Sequence, residues 1–269
     1  MNAVRLLRGL LVAILVAFFA TPVFFLISLS FKTKDDVLSG DFLPNAITLS
    51  NWPDAFNAAD LGGFLSNSIV VALLSGAITL ILTIPAIYGV TRLGVGGKWL
   101  PDVTLSSFMA PPVVAIIPFF YLLKVSGLLN TQAGLAIVYG LVNVPVAFWL
   151  LTPFMKRVPA EIEQAAALDG AGPLRALVSV ILPMIAPGLA ATAVIIVILS
   201  YNEFLFASVF TTVDQTRTLP VGVSLFQGDR LVNFGQMAAA SLTGILPVYL
   251  AALFLQKYLV QGLAHGAVK

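Results

Sequence analysis

Residues 158–183 read VPAEIEQAAALDGAGPLRALVSVILP, a polar stretch set between two apolar runs that are each long enough to cross a bilayer. Pro159 suits a first helical position. Ile162, Ala165 and Ala166 then fall at i, i+3 and i+4, a narrow face of small side chains on which another surface can dock closely. Glu161 and Glu163 occupy the first turn, where the helix dipole favours anions, and Gly170 can close the helix in a left-handed conformation. Beyond Ala171 and Gly172, Pro173 opens a second helix. Its Leu174, Leu177, Val178 and Ile181 are spaced i, i+3, i+4, i+7 and predict a stripe facing the chain's own helices.

The rest of the chain explains why so polar a segment stands out. The 269 residues are 59% hydrophobic and only 10% charged, against about 25% charged in a soluble domain, so its long apolar runs are read as spans rather than core helices. Spans are expected over about residues 10–30, 66–90, 103–123, 133–154, 182–210 and 237–255. A solvated loop is expected at 31–63, with a short helix after Ser50 and Asn51. Pro111, Pro112 and Pro118 predict kinks in the third span, where each removes a backbone donor. A secretory leader ending near Ala17 or Ala20 would instead leave five spans; the apolar run continues through Pro22–Ile27, beyond the usual length of a leader's core, and favours an uncleaved first span.

Six spans bring both termini to one side. With that side inside, Arg5, Arg8, Arg92, Lys98, Lys156, Arg157, Arg175, Lys257 and Lys269 are cytoplasmic, nine of the fourteen cations, which by the positive-inside rule makes the 158–183 segment cytoplasmic too.

Several chemistries are excluded by inventory. There is no cysteine and a single histidine, His265, so disulfides, thiolate metal sites and redox thiols are absent and no clustered metal set is visible. A net charge of +2 without a Lys/Arg run argues against nucleic acid. The nearest approach to a phosphate-cradling loop is Gly96-Gly97-Lys98, which does not match it.

The run Gln164-Ala165-Ala166, three residues, Gly170, nine residues, Val180-Ile181-Leu182-Pro183 resembles the EAA loop of binding-protein-dependent ABC transporter permeases, E-A-A-x3-G-x9-I-x-L-P. Asp169, Gly170 and Ala171 fit its context, while Gln164 stands where that loop has Glu and Val180 where it has Ile. The stretch from Tyr201 to Ala207 is similar to the W-N-E-F-L-F-A segment of carbohydrate permeases, with Tyr201 for Trp, and residues 256–269 are similar to the ending of the maltose-permease-like subunit.

The resemblance covers most of residues 60–269 and implies an all-α membrane protein with the type I importer permease fold. It implies one permease domain over residues 1–269 with its core at about 60–260, a coupling helix at 158–172 and a cytoplasmic tail at 256–269. The implied function is uptake of a sugar or related polyol across the bacterial cytoplasmic membrane, without an ATPase site or cofactor in this chain. The implied partners are a sister permease, a dimer of ATP-binding subunits that holds ATP and Mg, an extracytoplasmic substrate-binding protein and membrane lipid. ATPase coupling falls to Glu161, Glu163, Gln164, Ala165, Ala166, Asp169 and Gly170, and an ATPase-interface role to Gly262, Gly266 and Lys269.

Asn202 and Glu203 are the candidates for a translocation pathway, since a carboxylate at membrane depth is costly unless paired, protonated or facing water. A structural hydrogen bond tying spans together explains Glu203 equally well. The rival function is a secondary transporter or channel subunit using Glu203. Such a protein usually carries ionisable groups along several spans, and here Glu203 is nearly alone. An intramembrane hydrolase would need a base near a nucleophile, and His265 lies in the tail.

Overall fold

The computed structural model describes residues 2–97, 99–226 and 232–267. These residues are helical with connecting loops, and an isolated antiparallel bridge pairs Lys32 with Ile47. The chain divides into two compact units, one made of residues up to Gly63 with Leu219–Leu246, the other of Phe64–Thr218 with the chain from Pro247.

The first unit begins with α1 (Asn2–Ser30), whose apolar surface is exposed over nearly its whole length. After it come α2 (Lys34–Leu38) and α3 (Asn51–Ala58), the latter at the position the sequence predicts. The loop carrying them is more than a solvated connection. Lys32 is 2% exposed with its ammonium donating to the Asp41 carbonyl, and Asp36 is 7% exposed, accepting from the Asn45 amide at 2.8 Å and from its side chain at 2.9 Å. Burial of these polar groups is tolerated because each has a partner. Asn45 also donates to the Asp41 carboxylate at 2.9 Å and, with Ser39 beside it, holds it below the usual carboxylate range. Asn51 ties the loop to the end of α1 through the carbonyls of Ser30 and Lys32.

Most of α4 (Leu61–Thr91) lies in the second unit. Its 31 residues extend about 46 Å at 1.5 Å per residue, more than the ~30 Å hydrocarbon thickness. Ser75, Thr79 and Thr83, four residues apart and fully buried, form one polar stripe. Ser75 donates to Ser200 at 2.7 Å, and Thr79 to the Gly140 carbonyl at 2.9 Å. A Cβ on Gly140 would come within 2.5 Å of Ile78, so hydrogen-bonding hydroxyls and a missing side chain together set this close helix approach.

Among the described residues, three helices, α1, α4 and the first part of α15 (Phe234–Ala267), are individually long and apolar enough to span a membrane. Three further pairs reach that length only together, each bent by more than 40°. In the first, α5 (Trp99–Met109) gives way at Ala110 and Pro111 to a 3-10 turn, Pro112–Ala115, and then α6 (Ile116–Val125). Pro111 is extended, at ψ 126°, the conformation favoured for a residue that precedes proline. The second, α7 (Gln132–Val142) with α8 (Val144–Arg157), bends by 48° at Asn143 ahead of Pro145. The third corrects an expected continuous span at 182–210. Here α10 (Pro173–Ala176), a π-helical turn at Leu177–Ile181 and α11 (Leu182–Met184) lie at 83° to α12 (Ala186–Tyr201). Pro183 and Pro187 each remove a backbone donor around that bend, and α12 is followed by a separate short helix, α13 (Leu205–Phe210). The segment expected as a tail begins inside α15, which runs unbroken through Ala267.

Candidate functional site

Two places gather the residues singled out in the sequence. The first is α9 (Ala160–Leu168), which starts after Pro159 and ends at a turn where Gly170 has φ +82°, a left-handed conformation that favours glycine. None of its residues is fully buried. Ile162, Glu163 and Ala166 are half-buried, whereas Glu161, Gln164, Ala165 and Leu168 are exposed at i, i+3, i+4 and i+7. The expected small face of Ile162, Ala165 and Ala166 is therefore divided, since Ala165 lies about 60° round the helix from Ile162 on the side away from Ala166 and Glu163. Asp169 and Gly170 are exposed at the turn.

Glu163 is held from behind. Its Oε1 accepts from the Tyr88 hydroxyl, and its Oε2 lies 3.4 Å from Nε of Arg92. The same guanidinium donates to the carbonyls of Met155, at 2.9 Å, and Val158. Beneath it a cluster of Ile87, Tyr88, Leu151, Met155, Val158, Leu177, Ile181 and Ile185 is buried. The second-helix stripe is thus split as well: Leu177 and Ile181 enter this cluster, but Leu174 is 74% exposed and Val178 53%, because the π-helical turn changes the periodicity by one residue.

The second place is a cleft of 610 Å³ bordered by Pro111, Pro112, Pro118, Phe119, Asn143 and Glu203, with further apolar side chains. It opens where the proline break leaves α5 and α6 apart. The Glu203 carboxylate accepts from the backbone amides of Phe206, at 3.0 Å, and Ala207, at 3.3 Å, capping the start of α13 and meeting its dipole. Asn202 is exposed, its side chain donating to the Ile198 carbonyl at 2.8 Å, and is not part of the cleft. Asn143 takes the second polar place, its amide donating to Ser200 at 3.0 Å. An Asn amid an apolar run was its signal in the sequence.

Gly262 and Gly266 fall on the last turns of α15, where side chains are not described, and Lys269 lies outside the described residues. Among the described residues no group of three or more His, Asp or Glu is placed to hold a metal ion.

Residues 61–265 match the family described as binding-protein-dependent transport system inner membrane component. The chain belongs to this family. It is a membrane transport component, a permease subunit of the ABC type, and works with other transport components rather than as an enzyme. Among relatives, it is 33% identical over 268 residues to the trehalose/maltose transport system permease protein MalG of Thermococcus litoralis, covering 98% of this chain and 95% of that protein. It is 32% identical to the sulfoquinovosyl glycerol transport system permease protein SmoH of Agrobacterium fabrum, over 98% of this chain and 93% of that one. The permease also has the fold of a chain in the crystal structure of a bacterial ABC transporter that imports the acidic polysaccharide alginate, with TM-score 0.79, 22% identity and 96% of each chain covered.

Proposed function

We propose that this permease is one of two membrane subunits of an ATP-driven importer for a sugar or related polyol in the bacterial cytoplasmic membrane. Its six spans leave both termini and the 158–183 segment in the cytoplasm. A substrate-binding protein delivers the solute outside, and a separate pair of ATP-binding subunits grips the exposed face of α9 on each permease. Closure of that pair moves α9 and rocks the helices between inward- and outward-facing states, with each state favoured by the partner that binds it better. Gly262, Gly266 and Lys269 contact the ATP-binding subunits at the end of α15.

The observation that carries this reading is the outward face of α9. Leu168 is 90% exposed on a side of α9 shared with Glu161, Gln164 and Ala165, which the chain's own helices leave uncovered and which is therefore open to a partner subunit. The relatives that are named as sugar transport permeases support the solute class. The 610 Å³ cleft with Asn143 and Glu203 is the part of the pathway this chain supplies.

Co-purification tests the reading. A tagged chain extracted in mild detergent is expected to bring down a P-loop ATPase and a second permease, and ATP hydrolysis should rise when the loaded binding protein is added. Solute uptake by this chain alone in liposomes would contradict it.

A further inference from the structure

The proposed function needs α9 to move the spans, yet α9 buries no side chain fully and is bounded by Pro159 on one side and the Gly170 turn on the other. Apolar packing alone is a weak grip for such a lever. One polar cluster supplies a stronger one. Arg92, just past the end of α4, has a side chain 13% exposed and faces Glu163, 20% exposed, at 3.4 Å. Its guanidinium also donates to the Met155 carbonyl at 2.9 Å and to the Val158 carbonyl, the last acceptors of α8. Tyr88, one turn earlier on α4, donates its hydroxyl to the other oxygen of Glu163.

We propose that Arg92 is the positioning residue that couples α9 to the spans, clamping Glu163 and the end of α8 so that α9, α4 and α8 move as one body. The inference rests on the function proposed above and assigns Glu163 to this internal clamp instead of to the partner ATPase.

Chemistry favours arginine for the task. Its guanidinium offers several donors in a fixed plane, suits a carboxylate and carbonyls at once, and keeps its charge at any working pH. The guanidinium's hydrogen bonds to the Met155 and Val158 carbonyls are directional and fix it on the end of α8, and its ion pair with Glu163 then holds α9 to that point. Carbonyls at a helix C-terminus carry partial negative charge, which holds the cation between α8 and Glu163 even when α9 is pulled.

The test uses the assembled complex, reconstituted with its binding protein, and reads the ATP hydrolysed per solute taken up. For Arg92→Ala, hydrolysis is expected to stay within about twofold of the unaltered complex while the ATP cost per solute rises on the order of tenfold, a change of the size that follows loss of one partner from a partly buried pair. Glu163→Gln, which keeps size and shape, is expected to raise it severalfold, and Arg92→Lys less than Arg92→Ala. The double variant Arg92→Ala with Glu163→Ala should be no worse than Arg92→Ala, because both remove one link. Should Arg92→Ala fail to assemble, Glu163→Gln and Tyr88→Phe carry the same readout. An unchanged ratio in these variants, or additive losses in the double variant, overturns the clamp. Failure of the unaltered chain to associate with any ATPase overturns instead the function on which it rests.

Discussion

Glu163 and Glu203 are both carboxylates in an oily chain, and the helices use them in opposite ways. The Glu203 carboxylate accepts from the amides of Phe206 and Ala207, three and four residues ahead, and so begins a helix in its own segment, while the Tyr139 hydroxyl of α7 reaches its backbone carbonyl at 3.4 Å. Glu163 accepts from Tyr88, 75 positions away, and faces Arg92, so its bonds join α9 to α4 and, through the shared guanidinium, to α8. A carboxylate bonded locally shapes one element, whereas one bonded across elements can make two of them move together.

The contrast is broken most forcefully at the exposed side of α9. Leu168→Asp, which leaves both glutamates untouched, is expected to lower solute uptake on the order of tenfold or more, as the loss of an apolar anchor at an interface does, with normal amounts of chain in the membrane. Uptake within twofold of the unaltered chain would show that this face has no docking role. Reversing the charge by Glu163→Lys places a cation against Arg92 and should reduce uptake severalfold while ATP hydrolysis persists; equal loss of both would assign Glu163 to the ATPase surface after all.

Glu203→Ala removes a cap and is expected to cost about 1 kcal/mol of stability, read as a fall of a few degrees in the unfolding temperature of the detergent-solubilised protein. Glu203→Gln keeps an acceptor and should cost less. If instead Glu203→Gln leaves stability alone and abolishes uptake, the carboxylate's charge serves the pathway directly. The smallest effect is expected from chemical access in this cysteine-free chain. Asn202→Cys, at an exposed position, should react with a water-soluble thiol reagent, and Glu203→Cys, on the cleft, should react more slowly; protection of both in every transport state would remove them from the pathway.

Much of α9 was legible in the sequence because its signals are local. Pro159 opens the chain into a helix, Gly170 closes it, and the polar composition between them sets it apart from the spans. Which side of that helix faces inward was not legible: Ile162, Ala165 and Ala166 share a helical spacing but not an inward face, and the decision comes from Arg92 and Tyr88, which no local pattern connects to Glu163. Prolines gave the break in the third span, yet Pro145 and Pro187 also accompany bends of 48° and 83° where continuous spans were expected. A proline only permits a bend, and neighbouring helices decide whether the freed carbonyls are met. Glu203 was conspicuous for its cost at depth, and the amides that meet that cost become visible only once the chain turns at Asn202 to begin α13.

In the proposed importer α9 presents its outer face to an ATP-binding subunit. Leu168→Cys carrying a short thiol-linked photocrosslinker, irradiated in native membranes, tests this most directly. The predicted product is an adduct with a P-loop ATPase that is missing when the crosslinker is placed at Asn202→Cys. Adducts only with lipid, or with no protein other than this chain, would contradict it.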